Sequence, residues 1–187
     1  MKARFTPVVV MLTAAMLGSQ AWAGQKCRPN VAVSTPTSSF ELHADGTVTH
    51  KDTGLMWMRC AIGQAWDGKG CAGKHRVFTW AAAAEEVERL NKEGYAGHND
   101  WRYPLIPELA SITERKCSFP RVNEAVFPDT PQVPFWSGME RRGIPDEAYA
   151  LDFGGGAAEP YPKDFEGALR LVRGGPWWHP PQMMPAE

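Results

Sequence analysis

The pattern of apolar and polar positions divides the chain into short strands, two helices and a long irregular middle. Phe40 to His50 reads as a β-hairpin, because Asp45-Gly46 sits between "FELHA" and "TVTH" and Asp-Gly favours a two-residue hairpin turn. Asp52-Thr53-Gly54 is a second turn, and "LMWM", Leu55 to Met58, follows as an apolar strand. Trp80, Ala83, Ala84, Val87 and Leu90 then recur at i, i+3, i+4, i+7 and i+10, the apolar stripe of a helix. Trp80 is expected as a core anchor, with Glu85, Glu86, Glu88 and Arg89 on the wet face. Thr79 can cap this helix by accepting from an orphan backbone N–H. Lys92 suits its C-terminal dipole, and Gly94 can end it in the left-handed conformation. A shorter helix is expected from near Pro107 to about Lys116, with Leu109 and Ile112 inward, since proline suits a first helical turn.

Beyond Cys117 the chain is proline-rich and irregular from Ser118 to Pro134. "PFWSG", "AYALDF" and "ALRLVRG" read as three short strands, the last two alternating as half-buried strands do. Gly154-Gly155-Gly156 separates the second from a loop through Pro160 and Pro162. Strands, then helices, then strands predict an α+β domain, with the two helices on one side of an antiparallel sheet.

The two ends read differently. Lys2 and Arg4 precede a mostly apolar run from Phe5 to Leu17, and Ala21-Trp22-Ala23 places small residues where a signal peptidase reads. Residues 1–23 are therefore predicted to be a signal peptide, and residues 24–39 an extended N-terminal arm. No later stretch approaches the ~20 apolar residues of a transmembrane helix. The last residues, 176–187, carry four prolines and are expected to be poorly ordered, with Trp177 and Trp178 available to pack back or meet a partner. Without Lys2 and Arg4, 18 basic residues stand against 21 acidic ones, a balance that lacks the basic field nucleic acid requires.

Four cysteines in an exported chain read as two disulfides. The Gly-rich segment between Cys60 and Cys71 can turn back on itself, which favours that pair and leaves Cys27 for Cys117. The histidines (His43, His50, His75, His98 and His179) are never three or four apart, so none forms a helical metal pair. No cofactor and no metal are expected.

"DGTVTHKDTGLMWMRC", "GQAWDG", "GYAGHNDWRYPLIPEL", "FWSG" and "LRLVRGG" resemble, in the same order, phrases of the Lcl C-terminal domain family, named for a collagen-like bacterial adhesin. The resemblance covers about Phe40 to Gly175, so the domain is placed at 40–175. "LRLVRGG" also resembles the last strand of formylglycine-generating-enzyme-like and other C-type-lectin-like domains. The resemblance implies a C-type-lectin-like α+β fold with N- and C-terminal strands close together. Two positions depart from the family's pattern: Leu105 stands where members usually carry a polar helix cap, and Gly138 where they often carry a second serine. The related oxidases use a cysteine pair near the C-terminal end, whereas the last cysteine here is Cys117.

The stretch "HNDWRYPLIPEL" is the densest cluster of polar chemistry. Its expected role is scaffolding: Asp100 and Glu108 paired with arginines or backbone N–H groups, Trp101 in the core, and Arg102 spending its five-donor fork on a carboxylate or carbonyl. Asn99-Asp100 and Glu159-Pro160-Tyr161 superficially resemble a calcium-dependent sugar motif. The third-position amide is missing, and calcium needs about six converging oxygens, so such a site is not expected. Arg141 and Arg142 fall in one expected loop, and Tyr161 and Lys163 in the loop before the last strand, where binding residues often sit. Arg141 and Arg142 could meet the anionic groups of a glycan. The expectation is an exported, non-catalytic binding module, periplasmic or extracellular, whose partner is an anionic glycan or an envelope protein. The alternatives are a metal-dependent oxidoreductase of the formylglycine-generating type and an accessory subunit of an envelope assembly.

Overall fold

The computed structural model describes residues 24–175; the signal-peptide and tail expectations fall outside them. In chain order, β1 is Lys26–Cys27, β2 Phe40–Leu42, β3 Thr47–His50 and β4 Leu55–Met58. The β2–β3 turn forms because Asp45 Oδ1 accepts both the Thr47 N–H (2.9 Å) and its hydroxyl (2.7 Å), while Gly46 takes φ +85°, which costs glycine little. Next come β5 Ala65–Trp66, β6 Cys71–Ala72 and β7 Val77–Phe78. Helix α1 spans Trp80–Glu93 and begins with the Thr79 side chain accepting from Ala82 N–H. Gly94 ends it at φ 77° and ψ 141°, a positive φ but with extended rather than left-handed helical ψ.

Helix α2 covers only Ile106–Ser111, not the expected run to Lys116. At its start Leu105 has no side-chain oxygen, and Glu108 compensates by accepting the Leu105 N–H at 2.7 Å. At its end Thr113 bridges to Val122, and Glu114 turns towards the arm, so the chain leaves the helical path. The remaining strands are β8 Cys117–Ser118, β9 Pro134–Glu140, β10 Glu147–Asp152, β11 Ala158–Pro162, β12 Gly167–Ala168 and β13 Val172–Arg173.

These strands make two main sheets rather than one. The larger has the order β11-β10-β9-β12-β7, the smaller β13-β4-β3-β2, and β1-β8 and β5-β6 form separate ladders. All pairings are antiparallel except β12 with β9. The fold is therefore mixed α+β, built mostly of antiparallel strands. β13 pairs with β4, which brings the late and early strands into one sheet.

Two strand expectations need correction. "ALRLVRG" is not one strand: its first part, β12, belongs to the larger sheet and its second, β13, to the smaller. Between them Leu169 and Leu171 accept from Ile62 N–H (2.8 Å) and Met58 N–H (3.1 Å). Residues 167–172 are all buried, so the segment is a seam between sheets rather than a half-wet strand. The presumed loop through Pro160 and Pro162 is strand β11. Its place at the sheet edge explains why two residues lacking an N–H are tolerated there.

The core has two clusters. One gathers Phe40, Trp57, Leu109, Phe127, Phe135 and Phe153; the other is built on Trp101, Trp136, Leu169 and Leu171. Cys60 is bonded to Cys71, and Cys27 to Cys117. In the chain-entropy model, closing 11 and 90 residues contributes roughly 3 and 4–5 kcal/mol. Two disulfides suit an oxidising compartment. Among the described residues no helix is long and apolar enough to cross a membrane.

Candidate functional site

Glu108, on the first turn of α2, is 1% exposed and is met by the Arg102 fork, Nη1 to Oε2 at 2.8 Å and Nη2 to Oε1 at 2.7 Å. Arg102 also donates to the Tyr103 carbonyl (3.0 Å) and, through Nε and Nη2, to the Gly174 carbonyl (3.2 and 3.0 Å). Its main chain bridges Val172 in both directions. The joint therefore locks the α2 entrance to the closing segment. Trp101 is 2% exposed; Asn91 holds its N–H and its carbonyl at 2.8 and 2.7 Å. Asp100 lies outside this joint. Its carboxylate, half-exposed, pairs with Arg173 at 2.7 and 3.2 Å, and the hydrogen bond from Arg173 holds its pKa below the usual carboxylate value.

Two other carboxylates are buried among the described residues. Glu86, expected on the wet face of α1, is covered by Arg76 (3.1 Å) and Arg89 (2.7 Å). The period of the helix could not show this, because Arg76 comes from the preceding segment. Glu114 accepts from the N–H groups of Ser34, Thr35 and Lys116 and from the Ser34 and Thr35 hydroxyls, at 2.7–3.1 Å. Burial raises its pKa, but these donors, led by Lys116 N–H, outweigh it and hold the pKa at about 2. A general acid or base needs a lone pair or proton directed at a substrate; these three carboxylates direct theirs at their own chain.

The side chains singled out for ligand contact lie at the β9–β10 tip and on or just after β11. The loop after β11 is tied on both sides, Lys163 N–H donating to Asp146 O (2.8 Å) and Lys163 O accepting from Trp80 N–H (2.9 Å). This sets the Lys163 ammonium 4.6 Å above the Trp80 ring. Tyr103 stacks on the same indole with centroids 5.9 Å apart, and its hydroxyl donates to Trp80 O at 2.7 Å. Burial pushes the Tyr103 phenol pKa well up, so the hydroxyl stays a donor. Gly138 makes room for this ring, since a Cβ there would meet Tyr103 Cβ at 3.1 Å. That is a local reason for glycine at this position. Trp80 is only half-buried, packed against the core but not enclosed by it.

Tyr161 packs against Phe165 at 4.7 Å and edge-on to Trp136 at 6.4 Å. Arg141 pairs with Glu147 at 2.6 Å and Lys163 with Glu140 at 2.7 Å. Arg142, exposed at the β9–β10 tip, makes no side-chain hydrogen bond among the described residues. Met139 and Ile144 are exposed beside it. Residues 140–147 and 163–166 together carry five carboxylates against three cations. The sequence pointed to Lys163 and Tyr161 but not to Trp80 or Tyr103, whose pairing exists only in three dimensions.

The family model described as Lcl C-terminal domain matches residues 46–173, well over half of the chain, and the chain belongs to this family. Among curated proteins, none matches it.

Proposed function

We propose that this member of the Lcl C-terminal domain family is an exported, non-catalytic binding module on a C-type-lectin-like frame. Its contact face is the Trp80–Tyr103–Lys163 platform together with Tyr161 and the β9–β10 tip, and its partner is a protein of the cell envelope. The observation that carries the reading is the pre-fixed geometry of Lys163 over Trp80, held by main-chain bonds on both sides, since a face ordered in advance loses little freedom on binding. Exposed Met139 and Ile144 and half-buried aromatic rings suit the core of a protein contact surface, with the charged side chains at its polar rim. Saturated buried carboxylates support the non-catalytic half of the proposal.

An anionic glycan is the second reading, favoured by Arg142, which forms no salt bridge among the described residues. The local excess of carboxylates opposes it by repulsion. The test compares wild-type protein with Lys163→Ala and with Arg141→Ala/Arg142→Ala. Each is immobilised, then exposed to envelope extract and, separately, to a glycan array. The expected result is a discrete protein partner retained by wild type and lost by Lys163→Ala at unchanged melting temperature. Salt-sensitive capture of sulfated or carboxylated glycans, abolished by the double arginine variant, would transfer the function to the glycan reading.

A further inference from the structure

A cavity of about 430 Å³ lies where the N-terminal arm crosses the end of α2. Ser111, Thr113, Arg115, Arg121 and Leu151 line it. The two hydroxyls already donate to main chain, Ser111 Oγ to Glu108 O at 2.6 Å and Thr113 Oγ1 to Leu109 O at 3.0 Å. A hydroxyl that has spent its proton can offer only lone pairs. The guanidiniums are the opposite: they can only donate. Arg121 gives Nη1 to the Gly155 carbonyl at 2.9 Å and lays its buried Nε against Gly156, so Nη2, which makes no hydrogen bond among the described residues, is the donor left for a ligand. Gly156 lies flat against this side chain, where a Cβ would come within 2.5 Å of Arg121 Cδ, so the guanidinium is held in place. Arg115 is exposed at the rim, and its N–H is fixed by Ser34 Oγ at 2.8 Å. The neighbouring carboxylate, Glu114, is turned to the arm and fully occupied there.

From this complementarity we infer that the cavity receives the C-terminal end of an extended peptide. The terminal carboxylate meets Arg115 and Arg121, the peptide N–H groups donate to Ser111 Oγ and Thr113 Oγ1, and the last side chain lies on Leu151. A ligand carrying only anionic groups would leave the hydroxyl lone pairs unmatched, and a neutral one would leave the guanidiniums unmatched. The site goes beyond the platform reading and does not depend on it, because no residue is shared.

The test is a fluorescence titration of the disulfide-bonded protein with dansyl-trialanine as the free acid and as the C-terminal amide. The free acid is expected to bind saturably, and the amide at least about tenfold more weakly, as loss of a charge-assisted pair implies. Arg115→Gln and Arg121→Gln should each weaken the acid to a similar degree while leaving the amide unchanged. Arg121 also holds Gly155; if its variant unfolds, Arg115→Gln at the exposed rim decides. Equal binding of acid and amide, binding unchanged in Arg115→Gln, or no saturable binding of the acid at millimolar concentration would overturn the inference. So would galacturonate competing more strongly than the peptide acid, which would make the site one for acidic sugars. Lys163→Ala should leave every one of these titrations unaltered, which separates a failure here from a failure of the platform reading.

Discussion

Arg102 with Glu108 and Arg141 with Glu147 are the same chemical pair, each six residues apart and closed at 2.7 and 2.6 Å. Their surroundings divide them. The Glu108 side chain is 1% exposed, whereas Arg141 and Glu147 are 40% and 27% exposed. Water can take over either partner of the tip pair, so that pair holds little. Nothing can take over Glu108 except Arg102 and the Leu105 N–H. The same two side chains are thus structure in one place and surface in the other, and burial decides which.

Removing the cation from the joint should have the largest effect. Arg102→Ala strands a buried carboxylate and is expected to cost about 3–5 kcal/mol in denaturant unfolding; a loss below about 1 kcal/mol would show that the joint is as dispensable as the tip. Acid should loosen the arm next. Glu114 has its pKa lowered from 4.5 to about 2 in the folded protein, so its contribution is complete above 4.5 and fades as pH falls towards 2. Melting temperature followed over that range should drop more steeply in wild type than in Glu114→Gln, and parallel curves would contradict the assignment.

Arg170 sharpens the contrast from the opposite side. It is fully buried, its one side-chain hydrogen bond among the described residues goes to Thr130 Oγ1 at 2.8 Å, and Phe127, Phe135 and Phe153 surround it. Burial without a counter-charge lowers its pKa to about 9. Arg170→Met is expected to leave stability unchanged or raise it by up to ~2 kcal/mol. A loss larger than that on thermal melting would mean that the ring faces hold the cation more strongly than its desolvation opposes it. The smallest change belongs to the tip: Glu147→Ala should alter stability by less than ~1 kcal/mol, measured in the same assay.

Sequence reading succeeded where the cause of structure is local. Asp45-Gly46 makes its own turn, Thr79 caps its own helix, and "LMWM", "FWSG" and "AYALD" carry strand signals in their own side chains. It failed where the cause is elsewhere in the chain. Gly167 to Val172 is buried throughout because two sheets close on it, and nothing within the segment says so. Glu86 looked solvent-facing until Arg76 covered it. Prolines hid β11, since only its edge position makes them acceptable. Of the proposed platform, Lys163 and Tyr161 were singled out in the sequence; Trp80 and Tyr103 were not, because their stacking joins two segments that meet only in the fold. The arm cavity joins residues about 80 positions apart, as the Ser34–Arg115 contact does, and no spacing rule spans that distance.

The seam formed by residues 167–173 has a kinetic consequence. β4 at Leu55–Met58 cannot complete its sheet until Val172 and Arg173 arrive, more than a hundred positions later. Contacts of such long range must overcome a large search before they reward the chain, so this domain should fold slowly and in one concerted step. Loss of the final strand would leave both halves open together.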